Sequence, residues 1–289
     1  MTVGQEELDL ADVPFYAGRM DSDGRVEPWD LDDLAEGSSA DPYAGRARRG
    51  ARPEVSLQIE ASDERSVWVG AQGDELRQWS LVLEAMLRRW GIERGELLAF
   101  FDYGSSPVVL LASRCYLPYM REGAADRLGC SVVCNDGVAS MASRMVEVVR
   151  LARPTGVFVR ADAAAPFANA LADAGIDDLG SVCRWAALVD VDGAPRADER
   201  DRWSEAWRLP VHQVARADAA FFLAGECAHC GCFHVDASAY RLEPLPGGEA
   251  AVTTRFARTC PAVRFNLGPG TVHEPGCSAE PEAWRLEWR

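Results

Sequence analysis

The sequence predicts an α/β protein: a mostly parallel sheet flanked by helices, followed by a small β-subdomain stapled by a metal. Three observations carry this. Short apolar runs and amphipathic stretches alternate four times between residues 97 and 191, the pattern of strands joined by crossover helices. After Trp207 the texture changes to short strand-like runs split by Gly, Pro and Asp. Into that second region is set Glu226–His234, ECAHCGCFH, which packs three of the chain's nine cysteines and two of its four histidines into nine residues.

Residues 1–57 lack sustained periodicity and read as an irregular segment wrapped on the body through Phe15, Tyr16 and Trp29. From Val55 the alternation of SLQIEA, a polar turn SDERS and the run VWVGA predict two strands. Asp74–Trp90 has apolar residues at 76, 79, 83, 86, 87 and 90, acids in its first turn, Arg88 and Arg89 in its last and Gly91 beyond, so it reads as a helix. Leu97–Phe101 is a strand and Val108–Met120 a helix interrupted near Pro118. SVVC (131–134) is a strand and Val138–Leu151 a helix. GVFV (156–159), Ala164–Ala174 and WAALVDV (185–191) supply strand, helix and strand. VHQVA, FFLAG, HVDASAYRLEPL, EAAVTTRFA and AVRFNLG then read as antiparallel strands. The expected division is 1–57, an α/β body at 58–207 and a β-subdomain at 208–289.

The chain has 289 residues, 48% of them apolar and 26% charged, enough for a large core. Its net charge of −15 argues against nucleic acid or an anionic membrane as partner, since binding phosphate needs a basic footprint. No apolar run approaches the length of a membrane span, and the acidic N-terminus is unlike a signal peptide, so a soluble, cytoplasmic protein is expected. A small aromatic or acyl ligand, a partner protein and a homodimer all remain open as partners.

Thiolates and imidazoles concentrated in one run point to tetrahedral zinc in a structural site. Six residues are candidates for its four ligands: Cys227, Cys230, Cys232, His234, Cys260 and Cys277. The preferred set takes Cys227 or Cys230, then His234 and Cys277, with Cys232 and Cys260 competing for the fourth place. Two other uses of the run are a cluster of reduced thiols and a Cys/His nucleophile pair, Cys230 or Cys232 with His229 or His234. Ser105 and Ser106 in GSSP suit a helix cap better than a nucleophile elbow.

In the order of its pieces the chain resembles the phenylacetate-CoA ligase branch of the adenylate-forming ligases. The likeness runs through DVPFYAGRM, WDLDDLAEG, the helix at 74–90 with GIERGELL, DRLGCSVV and VEVVRLARPTGVFV. It continues in ECAHCGCFHVDASAYRLEPL, similar to the segment of zinc-bearing relatives, and in TTRFARTCPAVRFNLG. The resemblance implies the large domain of an enzyme that makes an acyl-adenylate from ATP and an aryl acid and then a CoA thioester. Where the family has a glycine-rich phosphate loop ending in Lys, this chain has EASDERSVWVG, with Arg65 as the stand-in. The Mg²⁺ carboxylate falls near Val214–Ala219, where Asp218 is out of register, and the ribose-binding Asp falls on Pro269. The C-terminal domain with the catalytic lysine is expected to be absent. These departures put ATP and CoA use in doubt and leave catalysis open. They favour a non-adenylating acyl-binding or repurposed acyl-thioester protein in small-molecule biosynthesis, with an active ATP-dependent aryl acid ligase as the alternative. A retained pocket would be lined from 102–107, Asn135–Gly137 and Arg216–Phe222, with Tyr103 and Phe222 as aromatic walls and Arg216 as the cation.

Overall fold

A computed structural model describes residues 9–35, 37–60, 66–102, 107–113, 120–191 and 197–288. Arg65, Tyr103, Ser105 and Ser106 lie outside the described residues.

Two strands, β1 (Val55–Glu60) and β2 (Ser66–Ala71), form an antiparallel hairpin. The helix read at 74–90 is α1 (Gly73–Arg89). It is followed by β3 (Leu97–Phe101), α2 (Pro107–Ala112), α3 (Ala124–Leu128), β4 (Ser131–Asn135), α4 (Ala142–Ala152), β5 (Gly156–Arg160), α5 (Ala164–Asp173), β6 (Trp185–Val191) and α6 (Ala197–Trp207). Then come β7 (Val211–Ala217), β8 (Phe222–Glu226), β9 (Phe233–Val235), β10 (Tyr240–Leu245), β11 (Glu249–Thr254), β12 (Phe265–His273) and β13 (Trp284–Trp288).

Eleven strands join in the order β10-β11-β12-β13-β9-β8-β7-β6-β5-β3-β4. Pairing is parallel from β4 through β3, β5 and β6 to β7 and antiparallel from β7 to β10. Two expectations are corrected by this. The sheet is mixed rather than mostly parallel, and the strands after residue 208 continue it instead of standing apart. β7, assigned by sequence to the antiparallel region, pairs in parallel with β6 and is the fifth strand of the body. Its His212, Gln213 and Arg216 break the apolar run that marks the other four.

The inner parallel strands β3, β5 and β6 are buried on both faces, which is why they read as continuous apolar runs, whereas β4 at the edge is partly exposed. In β3, Leu98 and Phe100 join the core beneath α1, α2 and α3, whereas Ala99 and Phe101 join the opposite core beneath α4, α5 and α6. Phe100 stacks on Phe158 of β5 with centroids 4.3 Å apart. Trp203 and Trp207, stacked 5.1 Å apart, close the second core from α6. Helix α1 lies across β8, where Gly225 leaves no room for a side chain: a Cβ there would come within 2.4 Å of Met86. Two aromatics of the N-terminal segment make hydrogen bonds to the stretch before β12. Tyr16 Oη donates to the Pro261 carbonyl at 2.9 Å, and Trp29 Nε1 donates to that of Val263 at 2.6 Å.

No described helix is long and apolar enough to cross a membrane.

Candidate functional site

Strand β8 runs into a tight turn at 227–232, closed by hydrogen bonds from Cys227 N–H to the Cys232 carbonyl (2.9 Å) and from Gly231 N–H to the Cys227 carbonyl (2.8 Å). Gly231 has φ +70°, which a side chain would resist. The turn brings Cys227 and Cys230 together, and β9 turns His234 toward them. β13 pairs with β9, Arg285 opposite His234, so the loop that leads into β13 delivers Cys277 to the same place. The ligand atoms of Cys227, Cys230, His234 and Cys277 all lie within 4.8 Å of one another. A tetrahedron with Zn–S bonds near 2.3 Å has edges of about 3.8 Å, so the cluster needs only a small contraction to hold an ion.

The orientation of His234 fits that use. Nε2 lies 3.3 Å from Cys230 Sγ, while Nδ1 is 2.9 Å from Glu280 Oε2, and Glu280 is paired with Arg89 at the end of α1. A carboxylate on the far nitrogen of a ligand imidazole fixes its tautomer and raises its basicity. Burial pushes the Cys230 thiol up to about 12. Burial also acts upward on Cys277, but the Ala279 N–H and the neighbouring thiols outweigh it and hold the group at about 7.

Of the six candidates, Cys227, Cys230, His234 and Cys277 are the four whose ligand atoms gather; Cys232 and Cys260 are not in the group. Cys232 closes the turn through its carbonyl. Cys260 is buried elsewhere, its Sγ accepting from Gly70 N–H at 3.2 Å. Of the suggested bases, His229 Nε2 lies 2.8 Å from Ser278 Oγ.

A cleft of about 400 Å³ opens between β7–β8 and the beginning of β12. Its walls include Phe222, Phe265, Leu267 and Trp288, and Arg216 and Pro269 also line it. The sharp path of β12 comes from Gly268, at φ +83°, whose N–H donates to Asn266 Oδ1 at 2.9 Å. Of the positions that the resemblance assigns to ATP, Ala215, Arg216, Ala217 and Pro269 thus meet at one cavity. Gly137 does not reach it: its N–H donates to the Asp102 carbonyl, and a Cβ would lie 2.1 Å from the Phe101 oxygen.

Arg216, expected to serve an anionic ligand, is already engaged. Its Nη1 donates to Asp102 Oδ2 at 2.7 Å and its Nε lies 3.0 Å from Asp218 Oδ1, with all three residues buried. Burial raises Asp218, Asp102 adds to this, and Arg216 opposes it. Sequence reasoning missed this network because its parts are far apart in the chain. They converge because β3, β5, β6 and β7 all end on the same edge, where open α/β sheets bind ligands. On that edge Asp190 is pushed up to about 6, by burial first and then by the charges of Glu199 and Asp162. A raised carboxyl favours folding below its unfolded value near 4, and that contribution is lost as pH rises through about 6. Asp190→Asn is therefore expected to be neutral below about pH 4 and to stabilise by about 1–3 kcal/mol above pH 6. Urea titrations at pH 4 and pH 8 check it; equal effects at both would remove this assignment.

No protein-family profile and no curated protein matches the sequence. Solved structures do match in shape. The fold is that of the adenylate-forming CoA ligases. The chain superposes on an open conformation of 2-hydroxyisobutyryl-CoA ligase in complex with 2-HIB-AMP and CoA, with a TM-score of 0.75 and 16% identity over 96% of this chain and 70% of that one. For the same ligase in the postadenylation state with R3-HIB-AMP, the TM-score is 0.73 at 15% identity, over 96% of this chain and 63% of that one. A complex of VinN with L-aspartate gives 0.54 at 15% identity, over 85% of this chain and 62% of that one. The chain thus spans under two thirds of the length of several of these structures.

Proposed function

We propose that the chain is a non-adenylating relative of the CoA ligases that binds a small aromatic or acyl molecule in the cleft beside Phe222, its β-region stapled by a structural zinc. The observation that carries this is the state of Arg216, whose guanidinium is committed to Asp102 and Asp218 instead of facing an anion. Pro269 offers no acceptor where the resemblance calls for a carboxylate, and the 289 residues contain no lysine to grip a phosphate. The four thiol and imidazole ligands support zinc because they fill a tetrahedral sphere and leave no open position for catalysis.

Pyrophosphate exchange tests the reading. With a panel of aryl and short-chain acids, exchange is expected to stay at background. A strong signal lost in Arg65→Ala would restore the alternative, an ATP-dependent aryl acid ligase.

A further inference from the structure

We infer that the cleft selects a cationic ligand, an aryl or alkyl amine or a quaternary ammonium compound, over a carboxylate or a nucleotide. This rests on the reading of the cleft as a small-molecule site and adds the ligand's charge to it.

The walls come first. Phe222, Phe265 and Trp288 line one cavity, the two phenylalanines buried in its wall and Trp288 half-buried at its side. The rings of Phe222 and Trp288 are inclined at 59° with centroids 6.4 Å apart, and Phe265 is braced edge-on by Trp29 at 4.9 Å. Aromatic faces carry negative charge density and attract an ammonium group, most strongly where water is displaced. At about 400 Å³ the cavity suits one ring with a short chain, at the small end of ligand pockets.

The polar groups around it have one sign. Asp30, Asp32 and Glu249 line the cleft. Two of these carboxylates are held in place: Glu249 Oε2 accepts from Asn266 Nδ2 at 3.1 Å, and Asp30 Oδ1 accepts from Asp32 N–H at 2.8 Å. Among the described lining residues Arg216 is the only cation, and Asp102 and Asp218 offset its charge. Low-dielectric walls focus the field of the carboxylates into the cavity. An entering carboxylate or phosphate meets three like charges, whereas an ammonium group meets three opposite charges beside an aromatic wall.

Calorimetric titration of the full chain with 2-phenylethylamine, 2-phenylethanol and phenylacetate at pH 7 and low salt separates the cases. The amine is expected to bind about tenfold or more tighter than phenylacetate, with the alcohol between them. Raising the salt to about 0.5 M should weaken only the amine's advantage. Glu249→Gln should bring amine and alcohol closer together, while Trp288→Ala should weaken all three. If phenylacetate or the alcohol binds as well as the amine, the charge inference is wrong and the small-molecule reading stands. If none of the three binds, both are wrong.

Discussion

Purified protein is expected to carry about one zinc per chain, and Cys277→Ser or His234→Ala to reduce that below a tenth while lowering the melting temperature by about 5–10 °C. The size follows from what the cluster joins. Cys227 and Cys230 sit in the turn after β8, whereas Cys277 arrives from a loop beyond β12. An ion bonded to both removes freedom from the unfolded chain and adds its binding energy to the folded one. The pairing of β13 with β9 already holds the two segments near each other, so only part of a zinc site's full binding energy, about 3 kcal/mol, appears as stability. Cys232→Ser and Cys260→Ser serve as controls, because both should keep the metal even where they disturb packing. Glu280→Gln should retain zinc at saturation but weaken its affinity about 10–100-fold, since it removes the carboxylate behind His234. Full metal content in Cys277→Ser would rule out this ligand set.

Arg216→Met should destabilise the protein by about 3–5 kcal/mol at pH 8 and by clearly less at pH 5. Removing the guanidinium leaves Asp102 and Asp218 buried side by side, facing only the longer contact of Arg160 Nη1 to Asp102 Oδ1 at 3.9 Å among the ion pairs described. Burial already raises Asp218 in the intact protein. Its raised carboxyl favours the folded state at low pH, an advantage lost as pH climbs, and without Arg216 that slope steepens. The triple variant Asp102→Asn, Arg216→Met, Asp218→Asn should recover most of the loss, because it removes the charges together. Guanidinium titrations at the two pH values decide it. A cost under about 1 kcal/mol at pH 8 for the single variant would show that the network is not what holds this edge of the sheet.

How much of this was legible in the sequence depended on whether the determinant was local. The α1 stripe and the apolar runs of β3, β5 and β6 identified themselves, because burial on fixed faces leaves a period in the residues. β7 was read as a strand but not as a parallel one, since its polar residues, which pair with groups contributed by other elements, made it look unlike the rest of the body. β13 escaped because WRLEW is short and its partners, β12 and β9, are set by tertiary pairing. The density of Cys and His pointed to a Cys/His cluster able to hold a metal, but which of the six candidates gather depended on which loop β13 brings back. Arg216 was found as a cleft residue, yet its partner Asp102 lies 114 positions away, beyond any sequence pattern. The cleft's acidic side was invisible for the same reason: Asp30 and Asp32 come from the N-terminal segment and Glu249 from β11.

The place of β13 in the sheet has a consequence for synthesis. It sits between β9 and β12, both made earlier, so the growing chain emerges as two half-sheets, each with an open edge, before the strand that joins them exists. Until Trp284–Trp288 leaves the ribosome, β9 and β12 present unpaired backbone to any other strand nearby, including those of a second nascent copy. Placing β13 is then an insertion between two borders, so a nascent chain halted before residue 284 exposes two open edges that invite a chaperone.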